Sequence, residues 1–289
     1  MKITNLRNLP APIVAAVTND PYDRGQSDIS VTGLIAPARQ RHLTLEHDDE
    51  ITEDAAERIY SLLGQAVHTI LERADTEGGA ITEKRLMIER HGWRISGAFD
   101  RLAVLPDATM QDYKVTSTWA VKDGVKDEWA QQLNMYRLIA AAHGIEVRNL
   151  QIVAILRDWQ KSKAVNTPDT YPMVPVEVID VPVWPLEETE DFIRRRLVAH
   201  SNAPFRLPEC TDDERWTRPG KYAVMKGTNK RATRVYDTEA EALADIDGRG
   251  GDPFHVVERP GEYIRCKSYC SAAPFCSQWQ ADKGLFDYS

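Results

Sequence analysis

Asp112 and Lys114 stand two residues apart in Thr109–Thr116, a stretch whose composition reads as a β-strand. At that spacing both side chains leave one face of the strand, and Tyr113 leaves the other. The preceding stretch, Trp93 to Val104, also reads as a strand, and Pro106-Asp107 between them is a turn signal. A tight hairpin there pairs residues whose numbers sum to about 212 or 213, which sets Asp100 opposite or next to opposite Asp112. A slip of one residue would turn one of the two acids to the other face. Two carboxylates that meet repel each other unless a cation lies between them, and hard oxygen ligands of this kind suit Mg²⁺ or Mn²⁺. Such an ion on a scissile phosphate would polarise it and supply hydroxide from bound water. A lysine side chain, with an unperturbed pKa near 10.4, is a cation at neutral pH unless desolvated or crowded by other positive charge, so the position of Lys114 suits orienting groups and stabilising charge that develops in a transition state. Proton abstraction by the lysine stays open, because a nearby metal ion lowers its pKa.

Each of these residues alone is ordinary. An Asp-x-Lys pair on a strand is a common surface pattern, and a lone histidine is more often a satisfied structural group than a ligand. The ordered set is what carries information: Gly64-x-x-x-His68 on a helix, Gly97-x-x-Asp100 at a strand end, Asp112-x-Lys114 on the next strand, and Gln132-x-x-x-Tyr136 on the next helix. Glu89, in the strand ahead of Gly97, is a candidate outer acid, with a structural role favoured. Trp119, Trp129 and Tyr136 offer rings on which bases could stack, although tryptophans at helical spacing more often belong to a core.

The elements that must position these groups follow from periodicity. From Glu53 to Arg73 the apolar residues Ile59, Leu62, Leu63, Ala66, Val67, Ile70 and Leu71 recur at helical spacing, which predicts an amphipathic helix. Lys84–Arg90, Trp93–Val104 and Thr109–Thr116 predict a three-stranded meander with turns at His91-Gly92 and Pro106-Asp107. Lys126–Ala142 is again helical, with Gly144 just past its end. Strands over Leu150–Leu156 and Val174–Val181 and a helix over Leu186–His200 complete the central part. Residues 1–45 read as an irregular arm with one helical turn, 46–209 as the core domain, and 210–289 as a basic insertion followed by a cysteine-bearing tail. Within that tail, Tyr222–Val235 reads as strand-rich and Thr238–Asp245 as a short helix.

Composition bounds the function. The chain of 289 residues carries a net charge of −8, the wrong sign for a protein that works by neutralising phosphates over its whole surface. The average conceals a basic stretch, Arg215, Arg218, Lys221, Lys226, Lys230, Arg231 and Arg234, and a second knot at Arg194-Arg195-Arg196. Either could touch a phosphate backbone, and either could be plain solvated surface. No apolar run approaches a membrane span, and Met1–Pro10 lacks the layout of a secretory signal, so the expectation is a cytoplasmic protein without a membrane partner. In a reducing compartment the clustered Cys210, Cys266, Cys270 and Cys276 favour a metal over disulfides.

On these motifs the chain resembles the RecB-like branch of the PD-(D/E)xK nuclease superfamily, from about Ile29 to Gln280, and looks closest to its phage and prophage exonucleases. The resemblance implies a mixed α/β (α+β) fold: a restriction-endonuclease-like core with a central mixed sheet flanked by helices, plus a small C-terminal cysteine-rich appendage. It implies that His68, Asp100, Asp112 and the main-chain carbonyl of Tyr113 hold the divalent metal. Lys114 is then the residue that orients or activates the attacking water, with Gln132 and Tyr136 positioning the DNA strand or the lysine. The implied activity is metal-dependent DNA exonuclease action in recombination, repair or phage DNA processing, in the cytoplasm of a bacterial or phage-infected cell. Its partners would be DNA with free ends or single strands and a helicase or single-strand annealing protein. A catalytically inactive DNA-binding or assembly protein on the same fold, and a structure-specific endonuclease, are the alternatives.

The triplet Cys266, Cys270 and Cys276 resembles the C-terminal cysteines of RecB-like nucleases that carry a [4Fe–4S] cluster. In those relatives the first cysteine precedes the catalytic motifs, whereas here no cysteine precedes Cys210. Cys210 serves as the fourth ligand if the basic insertion loops out and returns. Four thiolates suit an iron–sulfur cluster or a structural Zn²⁺, and spacing does not choose between them.

Overall fold

In the computed structural model residues 1–19, 25–74, 79–104 and 107–286 are described, with side chains up to 284. Pro106, half of the expected turn, lies outside the described residues. The chain begins with β1 (Lys2–Thr4), α1 (Ala11–Thr18), β2 (Ile29–Ser30), α2 (Val31–Ile35) and α3 (Ala38–Glu46). Then come β3 (Thr52–Asp54), a 3-10 turn over Ala55–Arg58, α4 (Ile59–Ala74), β4 (Ala80–Arg90), β5 (Trp93–Ala103) and β6 (Thr109–Thr116). Next are α5 (Asp127–Ala142), β7 (Asn149–Leu156), α6 (Lys161–Asn166), β8 (Val176–Val181) and α7 (Leu186–Asn202). The last part holds α8 (Asp212–Arg215), β9 (Thr217–Arg218), β10 (Lys221–Lys226), β11 (Arg234–Tyr236), α9 (Glu239–Gly248), β12 (Phe254–Arg259), β13 (Glu262–Tyr263), α10 (Ile264–Ser268) and α11 (Ser277–Asp282).

Two compact units result, one from residues 1–38 and 52–206, the other from 39–51 and 207–289. The first contains a mixed sheet ordered β2-β5-β6-β7-β8, with β4 on the free edge of β5, flanked by helices. The α/β class expected from the sequence is the class observed. β6 and β7 run parallel along their whole lengths, and α5 supplies the crossover that parallel neighbours require. The core is apolar, with Ile29, Leu34, Ile95, Phe99, Leu102, Met110, Leu133, Ile139, Ile152 and Ile193 out of contact with water. Apolar burial of this kind contributes about 25 cal/mol for each Å² removed from water.

The segment expected to be an irregular arm is more ordered than its proline punctuation suggests. It carries α1 and α2, and β2 adds to the central sheet through Ile29 and Ser30. Burial of Ile29, Val31 and Leu34 fixes that stretch to the core, a tertiary effect that local propensity does not report. Arg196 of α7 then caps α2, donating to the carbonyls of Leu34, Ile35 and Ala36. The Arg194–Arg196 knot is therefore not a uniform phosphate-facing patch, because its third member turns inward.

β5 is the strand that creates the site. One edge pairs with β4 along its length, except at Glu83 and Asp100, which the ladder skips. The other edge is divided: Ile95 and Ser96 pair with β2, while Arg101, Leu102 and Ala103 pair antiparallel with Gln111, Met110 and Thr109 of β6. Partner numbers on β5 and β6 sum to 212, as the hairpin argument required. Between Ser96 and Arg101 the sheet forks.

The second unit has its own small three-stranded sheet, β11-β10-β12, with α9 packed on it. Its separate apolar cluster joins Leu43, Ala272 and Cys276, bordered by Leu207, Cys270 and Trp279. Among the described residues no helix is long and apolar enough to cross a membrane.

Candidate active site

The fork brings the expected residues together. Asp100, at the last position before β5 and β6 begin to pair, is buried, and its Oδ2 accepts the amide N–H of Tyr113 at 2.6 Å. A carboxylate thus takes the place that a strand carbonyl would hold in an unbroken ladder. His68 of α4 reaches the same place. Its Nε2 lies 3.1 Å from the Tyr113 carbonyl oxygen, and its Nδ1 lies 3.3 Å from Asp100 Oδ1 and 3.5 Å from Glu83 Oε1. With both ring nitrogens facing acceptors, the imidazole favours its doubly protonated form. The Asp100 and Glu83 carboxylates accordingly hold its pKa up at about 10, against the opposing effect of burial.

Glu83 is the residue that sequence reasoning missed. Thr82 pairs with Arg101 and Lys84 with Phe99, which sets Glu83 directly across β4 and β5 from Asp100. His68, Glu83 and Asp100 offer ligand atoms within 4.8 Å of one another, the geometry of a cation site. The signal was available: a hairpin closing at His91-Gly92 has partners that sum to 183, and that sum joins 83 to 100. Glu89, the acid singled out instead, faces Arg94 and lies about 20 Å further along the strand at 3.3 Å per residue. The backbone of Glu83 has φ of 44°, a left-handed conformation that costs a non-glycine residue about 1 kcal/mol or more. Strain at a carboxylate beside two other ligand atoms is a feature of sites under functional constraint.

Asp112 and Lys114 occupy the other side of the fork. Lys114 Nζ approaches Asp112 Oδ2 at 2.5 Å, off the hydrogen-bonding direction, so that this buried oxygen has the ion pair but no hydrogen bond. Burial pushes the Asp112 pKa up to about 6, the Asp100 charge adds to the rise, and Lys114 and His68 oppose it. An acid desolvated to this degree, with an oxygen short of hydrogen bonds, fits a divalent cation. Asp112 is not within the three-residue group of His68, Glu83 and Asp100, and couples to it electrostatically.

A relay from α5 fixes the lysine. Lys114 Nζ donates to Gln132 Oε1 at 2.9 Å, and Gln132 Nε2 donates to Tyr136 Oη at 2.8 Å. The ring of Tyr136 lies against Gly97, where an added Cβ would stand 2.7 Å from Tyr136 Cδ1 and 2.9 Å from Cε1. Gly97 is therefore required by close approach, and Gly64 is not, because the space beside it is open. Of the aromatic candidates, Trp129 is buried in the core, Tyr136 is buried in the relay, and Trp119 is exposed with Lys122 5.0 Å from its ring.

The four cysteines gather in the second unit as free thiols. Burial pushes the Cys210 thiol up to about 12, and the neighbouring Glu214, Cys276, Cys266 and Cys270 act in the same direction. Burial also raises Cys270. Gln278, two residues past Cys276, pairs with the Cys210 backbone in both directions, at 2.8 Å from its amide and 3.0 Å to its carbonyl, so Cys210 returns to the segment that follows the triplet and the insertion from 217 to 263 loops out. Four half-buried or buried thiols, soft ligands that repel one another as thiolates, fit a soft metal centre.

No family model matches the chain, and no curated protein matches it. Among solved structures it is similar to SSO0001, at 17% identity and a TM-score of 0.44 over 64% of this chain and 83% of that one. It is also similar to a protein of Eubacterium rectale provisionally described as an exonuclease, at 11% identity and a TM-score of 0.33 over 65% of this chain and 71% of that one. At these values neither likeness carries an argument about chemistry, which rests on the side chains.

Proposed function

We propose that this protein is a divalent-metal-dependent deoxyribonuclease of the RecB-like PD-(D/E)xK type, acting on DNA with free ends or single strands. The observation that supports the reading most is the meeting of His68, Glu83 and Asp100 at the point where β5 leaves β6, with Asp112 and Lys114 across the gap. Asp100, Asp112, His68 and the Tyr113 carbonyl would hold Mg²⁺ or Mn²⁺, with Glu83 as a further oxygen ligand. A bound ion of this kind polarises a phosphate and makes water a nucleophile at neutral pH.

The chain's own groups do the rest. Lys114, steered by Gln132 and Tyr136, presents a fixed cation to charge growing on the phosphorus oxygens, and a preorganised donor of this kind is worth a hundredfold or more in rate, about 2.7–4 kcal/mol. His68 must release one proton before its nitrogen can act as a ligand, since both nitrogens are engaged as a cation in the metal-free state. The four cysteines would hold a [4Fe–4S] cluster, with structural Zn²⁺ as the competing occupant. The setting proposed is DNA recombination or phage DNA processing in the bacterial cytoplasm, beside a helicase or annealing protein.

The test is digestion of end-labelled linear DNA and of circular DNA with Mg²⁺ or Mn²⁺. Wild type should degrade the linear substrate only with metal, and Asp112→Ala should not. Equal digestion by both proteins would remove the site assignment, and equal rates on circles would make the enzyme an endonuclease.

A further inference from the structure

Arg39 is a buried cation in the cysteine-bearing unit, with 5% of its surface exposed. Guanidinium stays charged in any protein interior, so its neighbours must answer for the charge. Nη1 donates to the carbonyls of Leu207 at 3.4 Å and Pro208 at 3.1 Å, and Nη2 donates to Ser277 Oγ at 2.6 Å. Nε donates to Cys276 Sγ at 3.1 Å. Three of these acceptors are neutral, and no carboxylate pairs with Arg39 among the described residues. The sulfur is the one acceptor that can carry negative charge.

Arg215 is a second buried arginine of this unit, and Cys266 is among the groups that act on its charge. It too is 5% exposed, its Nη2 meets Asp282 Oδ2 at 2.7 Å, and its guanidinium carbon lies 3.2 Å from the centre of the Tyr263 ring. Its Nε is buried with no hydrogen-bond partner. A buried donor left without an acceptor is costly and rare. Inorganic sulfide would supply acceptors beyond the four protein sulfurs, whereas a single zinc ion brings none.

We propose that Arg39 and Arg215 are the buried donors that position and neutralise an iron–sulfur centre held by Cys210, Cys266, Cys270 and Cys276. The inference rests on the cysteine-centre reading above and is independent of the nuclease reading. Arg39 also ties its own segment to the centre. One turn on, Leu43 packs on Ala272 and Cys276, and a turn beyond that the His47 ring stacks on Phe275 at 4.1 Å. An apolar cluster this small needs a staple, and a metal centre is one.

The experiment is anaerobic purification of the full chain, with iron, zinc and acid-labile sulfide counted, visible absorption recorded, and the midpoint potential measured by redox titration. Wild type is compared with Arg39→Gln, Arg39→Lys, Arg215→Gln and Cys276→Ser. Wild type should hold iron and sulfide, and Cys276→Ser should lose them. Arg39→Gln should release iron to EDTA roughly 10- to 100-fold faster, as loss of an outer-shell donor does. The same change should move the potential to more negative values, because removing a positive charge disfavours the added electron. Arg39→Lys, which keeps the charge and is the variant expected to fold if Arg39→Gln does not, should hold the potential nearer to wild type. Wild type without iron, or with zinc in its place, would overturn the cysteine-centre reading. Iron in wild type, with release rate and potential unchanged in Arg39→Gln, Arg39→Lys and Arg215→Gln, would overturn the role of the arginines alone.

Discussion

The amide of Tyr113 donates to the carboxylate of Asp100 at 2.6 Å, and with that bond a side chain replaces the backbone ladder where β5 and β6 part. The other oxygen of Asp100 is left to His68, so one carboxylate both ends a sheet and sets the proton affinity of an imidazole. Asp100→Asn keeps an oxygen for the Tyr113 amide and removes the charge. In the metal-free protein, the His68 ring resonances followed by NMR should titrate near pH 10 in wild type and move down toward the ordinary value of 6.5 in the variant. A histidine that still titrates near 10 in Asp100→Asn would show that the charge lies elsewhere.

Glu83 should separate stability from function. Replacing it with glycine relieves the left-handed backbone at φ 44°, a gain offset by glycine's own entropy cost and by loss of the carboxylate's share in holding the His68 proton, so metal-free stability should change by less than about 1 kcal/mol. The same change removes an oxygen ligand, so Mn²⁺ should bind less tightly and DNA hydrolysis should slow. Thermal unfolding without metal and calorimetric Mn²⁺ titration read the two effects separately. A glycine variant that is strongly destabilised and fully active would contradict this assignment.

Gly97→Ala inserts a methyl group against Tyr136 Cδ1 at 2.7 Å and Ile139 Cδ1 at 3.0 Å. Overpacking of this kind costs about 1–3 kcal/mol, and it displaces the tyrosine that orients Gln132 and through it Lys114. Tyr136→Phe removes only the hydroxyl, so the fold should persist while kcat falls and KM changes little. An equal loss in both constants would point to substrate binding instead of lysine positioning.

These residues show where the sequence was readable. The spacing of Asp112 and Lys114, the turn before them and the helical repeat around His68 are local patterns, and local patterns fix register, so the sequence alone sets Asp100 beside Asp112. Glu83 was legible by the same hairpin arithmetic, but the strand expected from composition begins at Lys84, one residue past it, whereas β4 begins at Ala80. The order of residues 29–35 was not legible, since Ile29 and Leu34 are held by a core assembled from distant segments. The basic stretch beginning at Arg215 reads equally as a phosphate contact or as solvated surface, yet Arg215 itself is buried and paired with Asp282, a contact between residues far apart in the chain.

The pH dependence of stability follows from Asp112 and His68. Asp112, held at about 6 against an ordinary 3.8, binds its proton more tightly folded than unfolded, so its contribution to stability falls as pH rises through that interval. His68, held at about 10 against 6.5, contributes stability that is fully present below 6.5 and is lost as pH rises toward 10. In EDTA the unfolding midpoint should therefore decline from mildly acidic to alkaline pH. Asp112→Asn removes the first part of the decline and should be more stable than wild type at neutral pH while inactive. A less stable Asp112→Asn in EDTA would mean that the buried charge is compensated without metal.

The most direct measurement is anomalous X-ray scattering at the manganese edge from crystals grown with Mn²⁺. The account predicts a peak at the fork, about 2.0–2.2 Å from carboxylate oxygens of Asp100 and Asp112 and next to His68 and the Tyr113 carbonyl. Crystals saturated with Mn²⁺ that show no peak there, or show the ion bound away from both carboxylates, would contradict it.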